Sequence, residues 1–251
     1  MSDNVKPLEG IRVIDWADQS GELIGRLLAD LGADVIRIEP PEGARSRGLA
    51  PFHADHSLAF GFRNAGKRGL VLDLSKEGER EALHVQLAQS DVLIDNGAQG
   101  GPATHGLGAD VIRERHPHLV VTSFTPFGSF GPYRDWVATD PVLAAVGGMM
   151  NKAGVATKAP LAPPASLCDD VASVTAAFAT ATALYQRLSS GVGQHIDFSA
   201  ALGVAQTTDW SYANASISRA TDAPYAESRN GSGPVYTIYR CKGGFVRLVV
   251  L

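Results

Sequence analysis

The sequence predicts an α/β fold in which helices cover both faces of a parallel β-sheet. Short segments rich in Val, Ile and Leu alternate, over residues 11–124, with segments whose apolar residues recur at helical spacing. The strand segments are apolar nearly throughout, as expected for strands that are buried on both faces. Loops rich in Gly and Pro separate the segments, and α/β proteins place their ligands in such loops.

Five strands and three helices are predicted before residue 125. The predicted strands are residues 11–15, 34–38, 69–74, 91–94 and 119–124, and the predicted helices are 21–31, 77–88 and 110–115. The first strand, helix and second strand form a βαβ unit, which connects two neighbouring parallel strands.

The second half of the sequence has a different character. Ala-rich helical segments are predicted at residues 141–150, 166–188 and 199–219. Residues 235–240 and 245–251 then predict a β-hairpin that turns at Lys242-Gly243-Gly244. The sequence ends on the last apolar residue of this hairpin, so we expect a truncated chain. We therefore predict a large domain, residues 1–220, and the beginning of a small domain, residues 221–251.

Composition narrows the classes of function. The chain has 251 residues, a formal net charge of -4 and 45% hydrophobic residues. This charge gives no basic surface for nucleic acid or an anionic membrane, so neither is an expected partner. The uncharged run 171–186 is shorter than the ~20 residues of a membrane span. With no apolar leader at the N-terminus and only two cysteines, the expected location is the cytoplasm.

Residues 11–39 have the outline of a Rossmann mononucleotide-binding unit. The turn after the first strand carries Gly21 and Gly25, which does not match the Gly-x-Gly-x-x-Gly spacing of a dinucleotide site. We therefore interpret the unit as a Rossmann-like scaffold without a nicotinamide cofactor.

A basic segment, residues 64–68, precedes the third predicted strand, with Arg63, Arg45 and Arg47 nearby. Lys and Arg on a Gly-containing loop are suited to phosphate groups, although spacing alone favours a solvated turn.

The paired histidines at 53 and 56 and at 116 and 118 are too few for the three or four ligands of a metal site. No metal is predicted.

Two adjacent carboxylates, Asp169 and Asp170, stand at the start of the predicted helix 166–188. The free N–H groups and the dipole of a helix start stabilise anions, which alone would explain them. A carboxylate held there is also a serviceable nucleophile, and we expect its pKa to be normal or lowered.

Several segments, in order, resemble motifs of the class III (CaiB/BaiF-type) CoA-transferases, a family that also includes α-methylacyl-CoA racemase. The matching segments are residues 7–15 with 28–41, 64–68 with 72–74, 90–94, 127–133 and 191–197. The resemblance implies that the large domain is a Rossmann-like CoA-binding domain and that the C-terminal residues begin a small one.

The resemblance also implies roles for individual residues. Asp169 is matched to the catalytic carboxylate. The residues matched to CoA contacts are Arg37, Lys67, Arg68, Asn64 and Gly21. A Gly-rich segment that moves over the active site is matched by Gly231, Ser232 and Gly233, and the supporting acids are Asp140 and Asp170. Donors around 17–21 or in the 231–233 segment are candidates for an oxyanion site.

The implied activity is transfer of CoA from an acyl-CoA to a carboxylic acid through a covalent intermediate on Asp169, without a metal. Full-length relatives are expected to form an interlocked homodimer. Racemases of the family carry His before the acid matched by Asp140, whereas this chain has Thr139. A racemase-like enzyme and a CoA-binding fragment without turnover are the alternatives. Glu22 departs from the family pattern, which commonly has Pro there.

Overall fold

The structure of the protein is a computed structural model. It describes residues 6–96, 101–155, 157–222, 229, 231–233 and 236–249. Internal contacts divide the chain into two compact units: Met1–Trp136 with Asp169–Ala200, and Val137–Cys168 with Ala201–Leu251. These units are not the predicted domains 1–220 and 221–251, which stay a prediction.

The first unit is built on a six-stranded sheet in which all neighbouring strands are parallel. The strands are β1 (Arg12–Asp15), β2 (Asp34–Glu39), β5 (Arg68–Val71), β6 (Val92–Asp95), β7 (Val120–Thr125) and β8 (His195–Ser199), in the order β5-β2-β1-β6-β7-β8. The predicted α/β class with a parallel sheet is confirmed. Strand β8 was not predicted, because it alternates polar residues with Ile and Phe and lies half-exposed at the sheet edge.

Helices flank this sheet. They are α1 (Glu22–Asp30), α2 (Leu58–Asn64), α3 (Glu77–Ala88), α4 (Ala109–Arg115) and most of α6 (Leu167–Ser190). Helix α2 was not predicted; it follows a short hairpin of β3 (Phe52–His53) and β4 (His56–Ser57), and the Ser57 hydroxyl caps it by accepting a hydrogen bond from the Phe60 N–H.

The core lies between the sheet and its helices. Its buried side chains come from the strands, from α3 and α4, and from loop residues next to these elements: Ile14, Ile36, Ile38, Leu72, Leu74, Leu83, Leu87, Leu93, Leu107, Ile112, Leu119 and Val121. Burying each large apolar side chain contributes roughly 1.5–3 kcal/mol, so this cluster fixes the frame on which the strand ends sit.

By length and composition, α6 could also cross a membrane, although half of the relevant stretch is buried. The core helix of a soluble protein has the same properties. The inward face of α6 carries small residues such as Ala172 and Ala176, and the Thr180 hydroxyl lies 2.8 Å from the Thr122 hydroxyl of β7. The expectation that the protein has no membrane partner stays a prediction.

The second unit contains short helices and an antiparallel sheet. The helices are α5 (Asp140–Val146), most of α7 (Ala200–Ala205) and α8 (Asp209–Thr221), and the sheet has the order β11-β10-β9 with β9 (Gly231–Gly233), β10 (Tyr236–Cys241) and β11 (Gly244–Val249). The predicted hairpin is confirmed as β10 and β11, although residues 235, 250 and 251 lie outside the described residues. The predicted helix 199–219 is interrupted, since the Thr207 and Thr208 hydroxyls donate to main-chain carbonyls within a 3-10 turn.

Candidate active site

Asp169 lies in the first turn of α6 and is buried, with 7% of its surface exposed. Its carboxylate accepts a hydrogen bond from the Ser20 hydroxyl and one from the Gly21 N–H, whose nitrogen is 3.2 and 3.3 Å from the two oxygens. Both donors follow the carboxyl end of β1. The structure thus brings two predicted site residues, Asp169 and Gly21, into direct contact.

Burial raises the pKa of Asp169 to about 6, against the lowering effects of the Ser20 hydrogen bond, the Arg63 charge and the Gly21 N–H. The expectation of a normal or lowered pKa was wrong. It counted the favourable helix start but not the loss of solvent around the carboxylate, which outweighs it. The group is still mostly ionised at neutral pH.

The turn that carries the two donors has a fixed shape. Gly21 adopts a left-handed conformation with φ 78°, and a Cβ atom there would lie 3.1 Å from the Phe124 ring. Asn96, at the carboxyl end of β6, holds the turn from the other side: its amide oxygen is 2.7 Å from the Asp18 nitrogen and its amide nitrogen 2.9 Å from the Ser20 carbonyl oxygen. These contacts aim the Ser20 and Gly21 donors at Asp169.

Asp170 forms an ion pair with Arg63, at the end of α2. The Nη2 and Nε atoms of Arg63 lie 2.8 and 3.2 Å from the same oxygen of Asp170, and the arginine is buried. Burial works to lower the pKa of Arg63, but the hydrogen bonds and charge of Asp170 outweigh it, so the pKa of Arg63 is raised. A permanent positive charge therefore stands beside the two carboxylates.

Arg37 is buried on β2 and is held by internal partners. Its Nη2 atom lies 2.6 Å from Oε1 of Glu22, which also accepts from the Ser46 hydroxyl, and its Nη1 atom donates to the Ala17 carbonyl. Glu22 is fully buried. The acid that departs from the family pattern therefore neutralises the predicted CoA contact Arg37.

Lys67 and Asn64 form another internal cluster. The Lys67 ammonium lies 2.5 Å from the Asp15 carboxylate and 2.7 Å from both the Glu22 carbonyl and the Asn64 side-chain oxygen. An ammonium has three donors, and all are used here. Lys67 thus joins β1, α1 and α2, and no donor of its ammonium is left for a phosphate. Its predicted contact with CoA stays a prediction.

Arg68 lies at the amino ends of the strands, whereas Asp169 lies at their carboxyl ends. It begins β5 and pairs with Asp34 at the amino end of β2, with nitrogen–oxygen distances of 2.6 and 2.8 Å. Asp169 instead contacts the turn after the carboxyl end of β1. The structure does not bring these two predicted site residues together, so the predicted CoA contact of Arg68 has no support from this geometry.

The remaining predicted residues lie in the second unit. One carboxylate oxygen of Asp140 is 3.3 Å from the Cys168 nitrogen, so Asp140 satisfies a free N–H in the first turn of α6. Gly231, Ser232 and Gly233 form strand β9, paired with β10, and not a free loop. The expected movement over the active site stays a prediction.

A pocket of about 290 Å³ opens at the carboxyl ends of the strands in the first unit. Its lining includes two arginines, Arg37 and Arg45. It also includes Asn96, which contacts the turn after β1 that carries Ser20. Other lining residues are Trp16, Asp18, Ile38, Pro40, Pro41, Glu42, Ala44, Leu72, Asp73, Leu74, Ser75, Thr104 and His105. The Trp16 and His105 rings are stacked with their centroids 6.5 Å apart.

No group of three or more metal-ligating side chains occurs among the residues that the structure describes. His53 and His56 are exposed on the β3–β4 hairpin, while His84 and His116 face each other in a buried pair with ring nitrogens 3.0 Å apart. The expected absence of a metal stays a prediction.

The sequence did not identify Ser20, Asn96 or Arg63 as individual site residues. Ser20 and Asn96 each follow a predicted strand at its carboxyl end, the usual place for ligand-binding residues in α/β folds, so position alone could have indicated them. The pairing of Arg63 with Asp170 spans 107 residues, and no local pattern signals it.

Comparison with known proteins connects this geometry to a family. The model of CoA-transferase family III matches residues 8–251. The probable CoA-transferase Rv1866 of Mycobacterium tuberculosis is 36% identical over 234 residues, covering 92% of this chain and 29% of that protein. The formyl-CoA:oxalate CoA-transferase of Streptomyces avermitilis is 38% identical over 194 residues, covering 76% and 47% respectively.

A solved structure agrees with this. The crystal structure of a CaiB/BaiF family protein from Brucella suis superposes with a TM-score of 0.83 at 27% identity, covering 97% of this chain and 66% of that one. The chain spans less than half the length of the two curated relatives named above. Because the family model matches nearly the whole sequence, the chain belongs to CoA-transferase family III.

Proposed function

We propose that the protein transfers CoA from an acyl-CoA donor to a carboxylic acid acceptor through a covalent intermediate on Asp169. The observation that carries this proposal is the buried Asp169 carboxylate, held in the first turn of α6 by the Ser20 hydroxyl and the Gly21 N–H. Relatives of the chain are named as formyl-CoA:oxalate and succinate–glutarate CoA-transferases, which supports the reaction class.

The first half of the reaction frees the donor acid. A carboxylate oxygen of Asp169 attacks the thioester carbonyl, the carbon–sulfur bond breaks, and a mixed anhydride and CoA thiolate result. The thiolate then attacks the Asp169 acyl carbon, which forms an aspartyl-CoA thioester and releases the donor carboxylate. No net proton transfer is needed, since a carboxylate enters and a carboxylate leaves.

The second half retraces these steps with the acceptor acid. Its carboxylate attacks the aspartyl thioester, CoA thiolate leaves, and the thiolate attacks the acceptor acyl carbon of the new anhydride. Acceptor-CoA is released and Asp169 returns to its carboxylate form. The covalent route divides one difficult exchange into easier steps.

The surroundings of Asp169 suit its carboxylate both as the nucleophile and as the group on which negative charge develops. When thiolate attacks the Asp169 acyl carbon, negative charge develops on an Asp169 oxygen, where Ser20 and Gly21 already donate. Donors fixed before the reaction stabilise such charge without reorganisation. Burial also strips water from the carboxylate, which makes the anion a stronger nucleophile.

We further propose that the pocket beside this turn receives the nucleotide end of CoA. The stacked Trp16 and His105 rings offer apolar faces to a base. The Arg45 Nε atom pairs with Asp18 at 3.0 Å, but the side chain is 71% exposed, so its guanidinium is our candidate contact for phosphates. Asn96 links the pocket to the Ser20 turn. Among the described residues that line this pocket, Arg37 is the one that the sequence predicted as a CoA contact.

A racemase-like activity is the second candidate. A carboxyl group with a pKa of about 6 is suited to proton transfer at neutral pH, which favours this alternative. Thr139 offers no base at the position where racemases of the family carry His. A CoA-binding protein without turnover is the third.

The test is incubation of the protein, as its natural gene encodes it, with an acyl-CoA followed by hydroxylamine, and mass spectrometry of the peptide containing Asp169. We expect a hydroxamate on Asp169, and no adduct in Asp169→Asn. Absence of any adduct together with α-proton exchange of an α-methylacyl-CoA would establish the racemase instead. CoA binding with neither reaction would establish the binding protein.

The partners belong to the same proposal. Acyl-CoA and a carboxylic acid are the substrates, the whole protein is a homodimer, and the reaction takes place in the cytoplasm without a metal. The donor and acceptor acids are to be found by screening acyl-CoA and acid pairs in the same assay.

A further inference from the structure

Arg63 stands out among the charged residues near Asp169, because the family resemblance implied no role for it. It ends α2, is buried, and binds Asp170, the residue that follows Asp169 in α6. Three elements therefore meet at the reactive carboxylate: the turn after β1, the end of α2 and the first turn of α6.

We infer that Arg63 is a positioning residue, which holds the first turn of α6 through Asp170 so that Asp169 stays a charged nucleophile against Ser20 and Gly21. This inference rests on the proposed nucleophilic role of Asp169. Arg63 acts through Asp170 and is not assigned a contact with substrate.

Geometry supports the inference first. Two guanidinium nitrogens, at 2.8 and 3.2 Å, bind one oxygen of Asp170, so the pair restricts both the distance and the rotation of the helix start. Consecutive helix residues project about 100° apart, so fixing Asp170 also fixes the direction in which Asp169 projects. A rotation of α6 would separate Asp169 from the Gly21 N–H.

Charge supports it independently. Two adjacent carboxylates in one helical turn repel each other, and burial disfavours ionisation of Asp169. The Arg63 charge lowers the pKa of Asp169 while Asp170 raises it, and the contribution of Arg63 is the larger of the two. Without Arg63, burial and the Asp170 charge would both act against the anionic form of Asp169.

The test compares Arg63→Gln, Arg63→Lys and the double variant Arg63→Gln/Asp170→Asn by ¹³C NMR titration of the Asp169 carboxyl, assigned with Asp169→Asn. The matched control is Arg187→Gln: Arg187 also pairs with an aspartate, Asp91, but it lies 18 residues further along α6, or about 27 Å. Circular dichroism of each variant checks the fold.

We expect Arg63→Gln to move the Asp169 titration midpoint upward by roughly one pH unit, since a neighbouring opposite charge lowers a carboxyl pKa by about 1–3. The double variant leaves no unpaired charge, so its fold is safer and its midpoint rises less. Arg63→Lys should keep the midpoint near that of the natural protein, and Arg187→Gln should leave it unchanged.

The rate of Asp169 thioester formation should follow the same midpoints, measured against pH with a fixed acyl-CoA. A folded Arg63→Gln variant whose Asp169 titrates as in the natural protein would overturn the inference, and so would a folded double variant that forms the thioester at the natural rate. If the natural protein never forms the thioester, the proposed function fails instead, while the NMR titration still decides the role of Arg63.

Discussion

At the scale of single residues, the local sequence predicts the position of Asp169 but not its burial or its pKa. Its place at a helix start follows from the pattern Ser166 to Leu188, and the helix dipole predicts a stabilised anion. The structure places the same carboxylate out of solvent, where burial raises its pKa to about 6. The favourable dipole is a local property, but the burial depends on the turn after β1 and on α2.

The raised pKa predicts that Asp169 destabilises the folded protein at neutral pH. Its folded pKa of about 6 exceeds the ordinary value of 3.8, so the folded state binds the proton more tightly than the unfolded state. Stability from this group is therefore present below pH 4, falls between pH 4 and 6, and is absent above pH 6. The difference corresponds to about 3 kcal/mol at most.

Asp169→Asn should accordingly raise the free energy of unfolding at pH 8, by about 1–3 kcal/mol, while abolishing the covalent intermediate. The gain should vanish at pH 4. Urea denaturation at both pH values measures it, and Asp135→Asn, at a position whose side chain is 85% exposed, is the control. An equal gain at the two pH values would contradict the account of the pKa.

At the scale of secondary structure, α1 depends on a close approach that its sequence does not reveal. A Cβ atom on Gly25 would collide with the Asp15 carboxylate, which forms a buried ion pair with Lys67. Glycine is normally unfavourable within a helix, by about 1 kcal/mol relative to Ala. Here it lets the helix lie directly on the charged pair.

Gly25→Ala should therefore destabilise the protein by about 2–4 kcal/mol, since it disturbs a buried ion pair. Gly61→Ala is the matched control, because Gly61 also lies within a helix, α2, yet nothing lies within 4 Å of its Cβ position. That substitution should be neutral or stabilise by up to about 1 kcal/mol. Chemical denaturation midpoints compare the two, and equal effects would contradict the proposed close contact.

The elements themselves were mostly predictable. The five predicted strands before residue 125 are present, and four of them are buried, as expected for apolar runs in α/β proteins. The fifth, β5, lies largely exposed at one edge of the sheet. Strand β8 was missed because His195 and Asp197 interrupt its apolar pattern, and α2 was missed because its short sequence contains Gly61, a residue that disfavours helix. Both owe their formation to neighbours: β8 pairs with β7, and Ser57 caps α2.

At the scale of the whole molecule, the outer face of α6 exposes a stripe of apolar side chains. Val174, Phe178, Tyr185 and Leu188 lie on one stripe of the helix, and each is exposed by 53–81%. Apolar surface of this extent usually marks an interface. We expect this stripe to be covered by a second copy of the chain in the predicted homodimer.

Phe178→Glu should therefore weaken the dimer of the whole protein, because burying a charge in an apolar interface is unfavourable. Sedimentation or light scattering should find monomer at concentrations where the natural protein is a dimer. Gln186→Glu, also exposed on α6 but outside the stripe, adds the same charge as a control. A dimer unaffected by Phe178→Glu would place the interface elsewhere.

The sequence alone determined the parallel α/β scaffold, the family motifs and the position of Asp169 at a helix start, since hydrophobic period and turn residues act over a few neighbours. The tertiary structure decided which charged side chains are held by internal partners and which stay exposed. Arg37 and Lys67 are engaged by Glu22 and Asp15, and Arg63 meets Asp170 across 107 residues. Burial and ion pairing depend on residues distant in the chain, so only the folded arrangement fixes them.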